Sequence, residues 1–302
     1  MTTQNQLVFH LVPPVDLTGS SGVSLDSLTI GNALVDVLAT VDEGFLIREK
    51  IIKGSMNLVD IARSKHLHSL VNSRTEMSGG SAANTAYGLA SLGGKAGFIG
   101  KISADRLGES FASDLANVGV SFFPGVTCES EDTGRCLIVV TPDGNRTMNT
   151  FLGAASLLDA ADISRDAVQS AAVVMLEGYL FDRDAAKEAF RVAAEYAHAA
   201  GRKVALTLSD SFCVDRHRAD FLDLVKNNID ILFSNEDEIK SLYQVGSIND
   251  ALHQLRNDCE FAAVTRNEHG SVVIDGDEVV IIDAEPVDSV VDATGAGDMY
   301  AA

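Results

Sequence analysis

The sequence predicts an α/β protein built on a mostly parallel sheet with helices on both faces. Three observations carry this expectation. From residue 171 onward, short apolar runs alternate with stretches of helical period, the pattern of repeated βα units. Polar clusters follow those runs directly, where an open α/β sheet gathers its ligands. A hairpin-like stretch at 134–155 breaks the rhythm and predicts a small separate β layer.

Taken in order, "SLTIGNALVDVLATV" (27–41) reads as a β-prone apolar run, interrupted at Gly31 and Asn32 and followed closely by Asp36. "MSGGSAANTAYGLASLGGKAGFIGKI" (77–102) predicts a turn, a helix and a strand. Ala83, Ala86, Tyr87 and Ala90 recur at helical spacing, with Gly79 and Gly80 before them and Gly93 and Gly94 at the end. A second helix follows over 106–120. The hairpin turns around Pro142, Asp143, Gly144 and Asn145. Then come a strand at 171–178, a helix at 183–201 closed by Gly201, and further strands in "KVALTLS", "DILFSN" and "EFAAVTRN". Helices "DFLDLVKN", "EDEIKSLY" and "INDALHQLRN" separate them, and "GSVVIDGDEVVIID" closes as a hairpin.

At 302 residues, 46% hydrophobic, the chain has ample material for a buried core. A net charge of -20 argues against nucleic acid, whose phosphates would be repelled. No run approaches the roughly 18 apolar residues of a membrane span. Cys128, Cys136, Cys213 and Cys259 form no CxxC pair, which suits reduced thiols in a cytoplasm. Residues 1–26 lack the charged and apolar regions of a signal peptide and read as a disordered leader or an artificially added segment, with the folded domain at 27–302.

The most chemically suggestive string is "DATGAGD" (292–298). The amides of Gly295, Ala296 and Gly297 can point into one concavity because small residues leave no side chain in the way. At a helix start those amides favour negative charge, such as that growing on a phosphoryl group in transfer. Asp298 could then accept the proton of an attacking hydroxyl. The plain alternative is a glycine-rich turn with Asp298 as an ordinary early-helix charge. The histidines show no metal-ligand spacing, and neither a GxSxG elbow nor a GxxxxGK[ST] string occurs.

"DATGAGD" resembles the C-terminal signature of the ribokinase-like (PfkB) carbohydrate kinase family. "GGSAANTAYGLASLGGKAGFIGKISADRLGE" resembles its N-terminal signature, and "NEDE" its N-x-x-E motif. The resemblance implies a ribokinase-like three-layer α/β/α sandwich with a mostly parallel central sheet and a small β-sheet lid, placed near 37–56 and 121–152. It also implies ATP-dependent phosphorylation of an alcohol. Within the family, "GNALVD", "TGRC" and "NRTMNTFLGAA" resemble the adenosine kinases, implying transfer to the 5′-hydroxyl of adenosine.

By that resemblance Asp36, Gly79, Gly80 and Asn84 would bind the ribose, and Arg135 would approach the transferring phosphate. Asn235 and Glu238 would organise Mg²⁺, Glu238 through water, and Thr265 and Thr294 would line the ATP side. Asp298 would be the base. Leu34, Met56, Phe151 and Leu152 are candidates for a purine slot. Each has a blander alternative: Asp36 and Thr265 as strand ends, Arg135 as a solvated hairpin residue, Glu238 as a first-turn helix charge.

The expected partner is a small nucleoside or sugar, with a monomer or homodimer as the assembly. Another sugar kinase of the family, for ribose, fructose or a related sugar, is the alternative activity. Only Met299, Tyr300, Ala301 and Ala302 follow the motif, so the chain reads as truncated, and a non-catalytic nucleoside-binding form is a further alternative.

Overall fold

The computed structural model describes residues 23–71, 74–126, 128–288 and 295–302. In chain order the first elements are β1 (Leu25–Ile30), β2 (Leu34–Thr40), α1 (Glu43–Glu49), β3 (Met56–Leu58), α2 (Ile61–Leu70) and β4 (Thr75–Gly79). Then come α3 (Ser81–Ser91), β5 (Ala96–Gly100), α4 (Arg106–Asn117), β6 (Ser121–Pro124), β7 (Gly134–Val140) and β8 (Arg146–Phe151). The βα half follows: α5 (Arg165–Ser170), β9 (Ala171–Glu177), α6 (Asp184–Ala199), β10 (Lys203–Thr207), α7 (Ser211–Asn228), β11 (Ile231–Asn235) and α8 (Glu236–Tyr243). Last are α9 (Ile248–Asp258), β12 (Phe261–Thr265), β13 (Ser271–Asp275), β14 (Glu278–Ile282) and α10 (Ala296–Ala301).

Among the described residues the large sheet runs β14-β13-β12-β11-β10-β9-β1-β5-β6. Strands from β6 through to β12 are parallel, and β13 and β14 turn antiparallel at one edge. One face is apolar at every second residue: Leu28, Ile30, Val174, Leu176, Val204 and Leu206 are fully buried. They pack with Ala186, Ala189, Ala193 and Ala197, a row of small residues that lets α6 sit close to the strands. Phe181 and Phe221 stack with centroids 4.1 Å apart in the same core. The alternate residue Thr29 points the other way and donates to the Ala82 carbonyl, so α3 lies on the opposite face. The edge strand β14 is exposed along its length, with Ile281 at 68%.

The lid is a second sheet, β3-β8-β7-β2-β4. Its Val35, Val37, Leu137 and Val139 join a core with α1, α2 and α4. Several expectations change. Residues 121–124, grouped with the lid from the sequence, form β6 at the edge of the large sheet, paired in parallel with β5. The lid segment 37–56 contains a helix, α1, started by the Asp42 side chain accepting from the Phe45 amide. Residues 77–79, expected as a turn, complete β4. The unforeseen α2 has a polar sequence and is anchored by its Asp60 cap and by the fully buried Leu67. Of the expected leader, Leu25 and Asp26 already belong to β1, and 1–22 lie outside the described residues.

Candidate active site

The exits of β1 and β4 meet where the large sheet joins the lid. β1 passes through Gly31 and Asn32 into the lid, which carries Asp36. β4 ends at Gly79 and leads through Gly80 into α3. α10 lies across α3 at Gly88, where an added Cβ would come within 2.8 Å of Met299 Sδ. This crossing brings Asp298 to the first turn of α3. Its Oδ1 accepts from Ser81 Oγ at 2.6 Å and its Oδ2 from Asn84 Nδ2 at 2.9 Å. Thr85 Oγ1 donates to the Asp298 carbonyl at 3.2 Å.

The two glycines have separate reasons. A Cβ on Gly79 would overlap the Asp36 carboxylate, so the absent side chain is the space Asp36 occupies. Gly80 has φ +99°, and a Cβ there would collide with the Asn32 carbonyl. Asp36 is pushed up to about 6, first by burial and then by the negative charge of Asp298, with Arg146 pulling the other way. Thus Asp36, Gly79, Gly80, Asn84 and Asp298 do come together. Gly295 makes the turn before α10 with φ +75° and lies beside Asp298 and Asn84.

Further along the large sheet, Asn235 and Glu238 form a capping box on α8. The Asn235 side chain accepts from the Glu238 amide, and both Glu238 oxygens accept from Asn235. Glu238 is pushed up to about 7 by burial, with Asp210 and Asp237 adding to the effect. No three ligating side chains among the described residues are grouped to hold a metal directly. The crowded carboxylates fit a cation held through water, since its charge would relieve them. Thr265 Oγ1 reaches the Ser234 carbonyl at 3.5 Å, tying β12 to β11. Thr294 lies outside the described residues.

Arg135 is not brought to this corner. It pairs with Val35, so its side chain leaves the lid on the face opposite Asp36, where Arg135 Nε donates to Ser64 Oγ on α2 at 2.8 Å. The alternation of a β-strand decides this, and one residue's shift from Cys136 is enough. Sequence reasoning missed Ser81, Arg146, Tyr179 and Glu177. Tyr179, just beyond β9, is pushed up first by burial and then by the charges of Asp210, Glu177, Glu238 and Asp298. Glu177 could have been found as a carboxylate ending an otherwise apolar strand.

A covered parallel sheet, a β lid over one end, and a held carboxylate beside a glycine-rich helix start define a small-molecule phosphotransferase. Residues 51–302 match the model of the pfkB family carbohydrate kinases. The solved adenosine kinase of Sinorhizobium meliloti is 48% identical, with a TM-score of 0.83 over 92% of this chain and 85% of that one. A nucleoside kinase of Methanothermobacter thermautotrophicus is 25% identical over 92% of this chain and 80% of its own. A 5-dehydro-2-deoxygluconokinase of Listeria monocytogenes is 28% identical over 74% of this chain and 71% of its own. The chain belongs to the pfkB carbohydrate kinase family and is a kinase that phosphorylates a sugar or nucleoside with ATP.

Proposed function

We propose that the acceptor is adenosine and that phosphate goes to its 5′-hydroxyl. The observation that carries this is the lid face around Asp36. Cross-strand partners share a face, so Asp36 lies in one row with Met77, Cys136, Thr150 and Leu58. The next row on that face is Leu38, Ile138, Met148 and Met56. A carboxylate suited to a diol is therefore set in an apolar surface suited to a planar base, which a free sugar would leave bare. The likeness to the Sinorhizobium adenosine kinase supports the same reading.

In this reading Asp36, Asn84 and the backbone at Gly79 and Gly80 hold the ribose. Asp298 takes the proton of the attacking hydroxyl. Each of its oxygens keeps a second acceptor site after bonding Ser81 or Asn84, so it is aimed without being used up. The amides at Gly295, Ala296 and Gly297 face the charge that develops on the phosphoryl oxygens. Arg146, whose field reaches Asp36, takes the phosphate-facing role expected of Arg135. Mg²⁺, reached from Asn235 and Glu238 through water, would neutralise phosphate charge when bound.

The 28% identity to a 5-dehydro-2-deoxygluconokinase favours a sugar as the second reading. An ADP-release panel of adenosine, guanosine, ribose, fructose and 5-dehydro-2-deoxygluconate, with ATP and Mg²⁺, tests the two. We expect adenosine to lead in kcat/KM by at least about tenfold. A free sugar ahead of adenosine would overturn the nucleoside assignment.

A further inference from the structure

The carboxyl end of β9 holds a group with no part in the chemistry above. Glu177 is 1% exposed. Its Oε1 accepts from Asn32 Nδ2 at 2.6 Å and, at 3.4 Å, from the Asn32 amide. Its Oε2 accepts from the Ala82 amide at 2.8 Å. Helix α3 starts at Gly80, which has no side chain to satisfy the first free amides. Glu177 does for Ala82 what a capping residue in the helix's own sequence would do. Gly31 is shaped to the same end, because a Cβ there would overlap the Glu177 carboxylate. Ser81 and Asn84 flank Ala82 in this turn, and they hold the two oxygens of Asp298.

We propose that Glu177 is the positioning residue of this site: by gripping Asn32 and the first turn of α3, its carboxylate sets where Ser81 and Asn84 hold Asp298. The inference rests on Asp298 being the base. Substrate does not reach Glu177, which acts only through its neighbours.

The grip needs both oxygens as acceptors, and a protonated carboxyl turns one of them into a donor facing an N–H. Burial pushes Glu177 up to about 7; the bonds from Ala82 and Asn32 oppose that, and the charge of Asp298 adds to it. The groups facing it are Asp298 from α10, Tyr179 from the turn after β9, and the uncharged Gly31, Asn32 and Ala82 from the β1 exit and α3. Turnover therefore falls as pH drops through about 7. Stability moves the other way at this group. A raised carboxyl contributes most below its ordinary value of 4.5 and loses that contribution as pH rises to about 7.

The test uses the full chain with Glu177→Gln and Glu177→Asp. It measures phosphoryl transfer from ATP between about pH 5.5 and 8.5, and amide hydrogen exchange over residues 80–85. We expect Glu177→Gln to lower kcat about 10²-fold, the scale of a misplaced reacting group, with acceptor KM changed much less. Its acid limb should become shallower, because Glu177 no longer titrates near 7 while Glu238, also at about 7, still does. Residues 80–85 should exchange faster at pH 8. Glu177→Asp, which keeps the charge, should recover part of kcat and retain the acid limb. Wild-type kcat and pH profile in Glu177→Gln, or unchanged protection at 80–85, would overturn the inference. If Glu177→Gln does not fold, Glu177→Asp answers at pH 8: its shorter side chain should loosen the grip, so faster exchange at 80–85 than in wild type supports the inference, and equal exchange refutes it. If the wild type transfers no phosphate, the functional reading fails, and the exchange data still decide the role of Glu177.

Discussion

Asp298 is held by side chains 217 and 214 residues earlier in the chain, so its orientation depends on α3 rather than on its own helix. Asp298→Asn removes the proposed proton acceptor and keeps the shape. Turnover should fall by at least about 10²-fold while acceptor affinity, read by calorimetry, stays within a few-fold. Near-normal turnover would remove Asp298 from the base role. Gly80→Ala acts by strain instead. At φ +99° with the Asn32 carbonyl in the way, the added methyl should cost about 1–3 kcal/mol, read as a fall in urea midpoint. Gly79→Ala has no such backbone penalty and should act by displacing Asp36, raising acceptor KM more than it lowers stability.

At the scale of elements, Glu238 closes the capping box of α8 with a buried carboxylate. Gln also fits the third helical position of a capping box, so Glu238→Gln keeps the bond from the Asn235 amide, gives up the one from Asn235 Nδ2 and removes the charge. Because burial raises Glu238 to about 7, its ionisation opposes folding above that pH and has no effect below its ordinary 4.5. Glu238→Gln should therefore melt above wild type at pH 8, by on the order of 2 kcal/mol, and match it near pH 4.5. Equal melting at both pH values would contradict this. Arg135, bonded to Ser64 and lying over the Phe151 ring at 5.7 Å, is a strut of the lid. Arg135→Ala should lower stability by about 1–3 kcal/mol and reduce turnover far less than Asp298→Asn. The order of helices and strands was legible because alternation and glycine stops are local signals. So were Asp36, Asn84 and Asp298, which sit on motifs. The side of the lid that Arg135 faces was not legible, since register with β2 fixes it and the strand's own sequence does not. Nor was the place of 121–124, whose partner β5 lies across a helix. Ser81 and Glu177 escaped notice because their partners become visible only when α10 and β9 close on α3.

For the molecule as a whole, charge and shape set how copies meet. A net charge of -20 makes like chains repel one another at neutral pH. That repulsion is weakest near the isoelectric point of about 4.6. The rim formed by β14 then matters, since Val279, Val280, Ile281 and Ile282 are all at least 41% exposed beside unpaired backbone. Light scattering should rise steeply as pH is lowered toward 4.6, and Ile281→Lys should delay that rise. Unaltered scattering in the variant would point to another surface. In a crowded compartment such a border is a seam along which sheets can be stitched end to end, and the acidity of the chain is what keeps the stitches from forming.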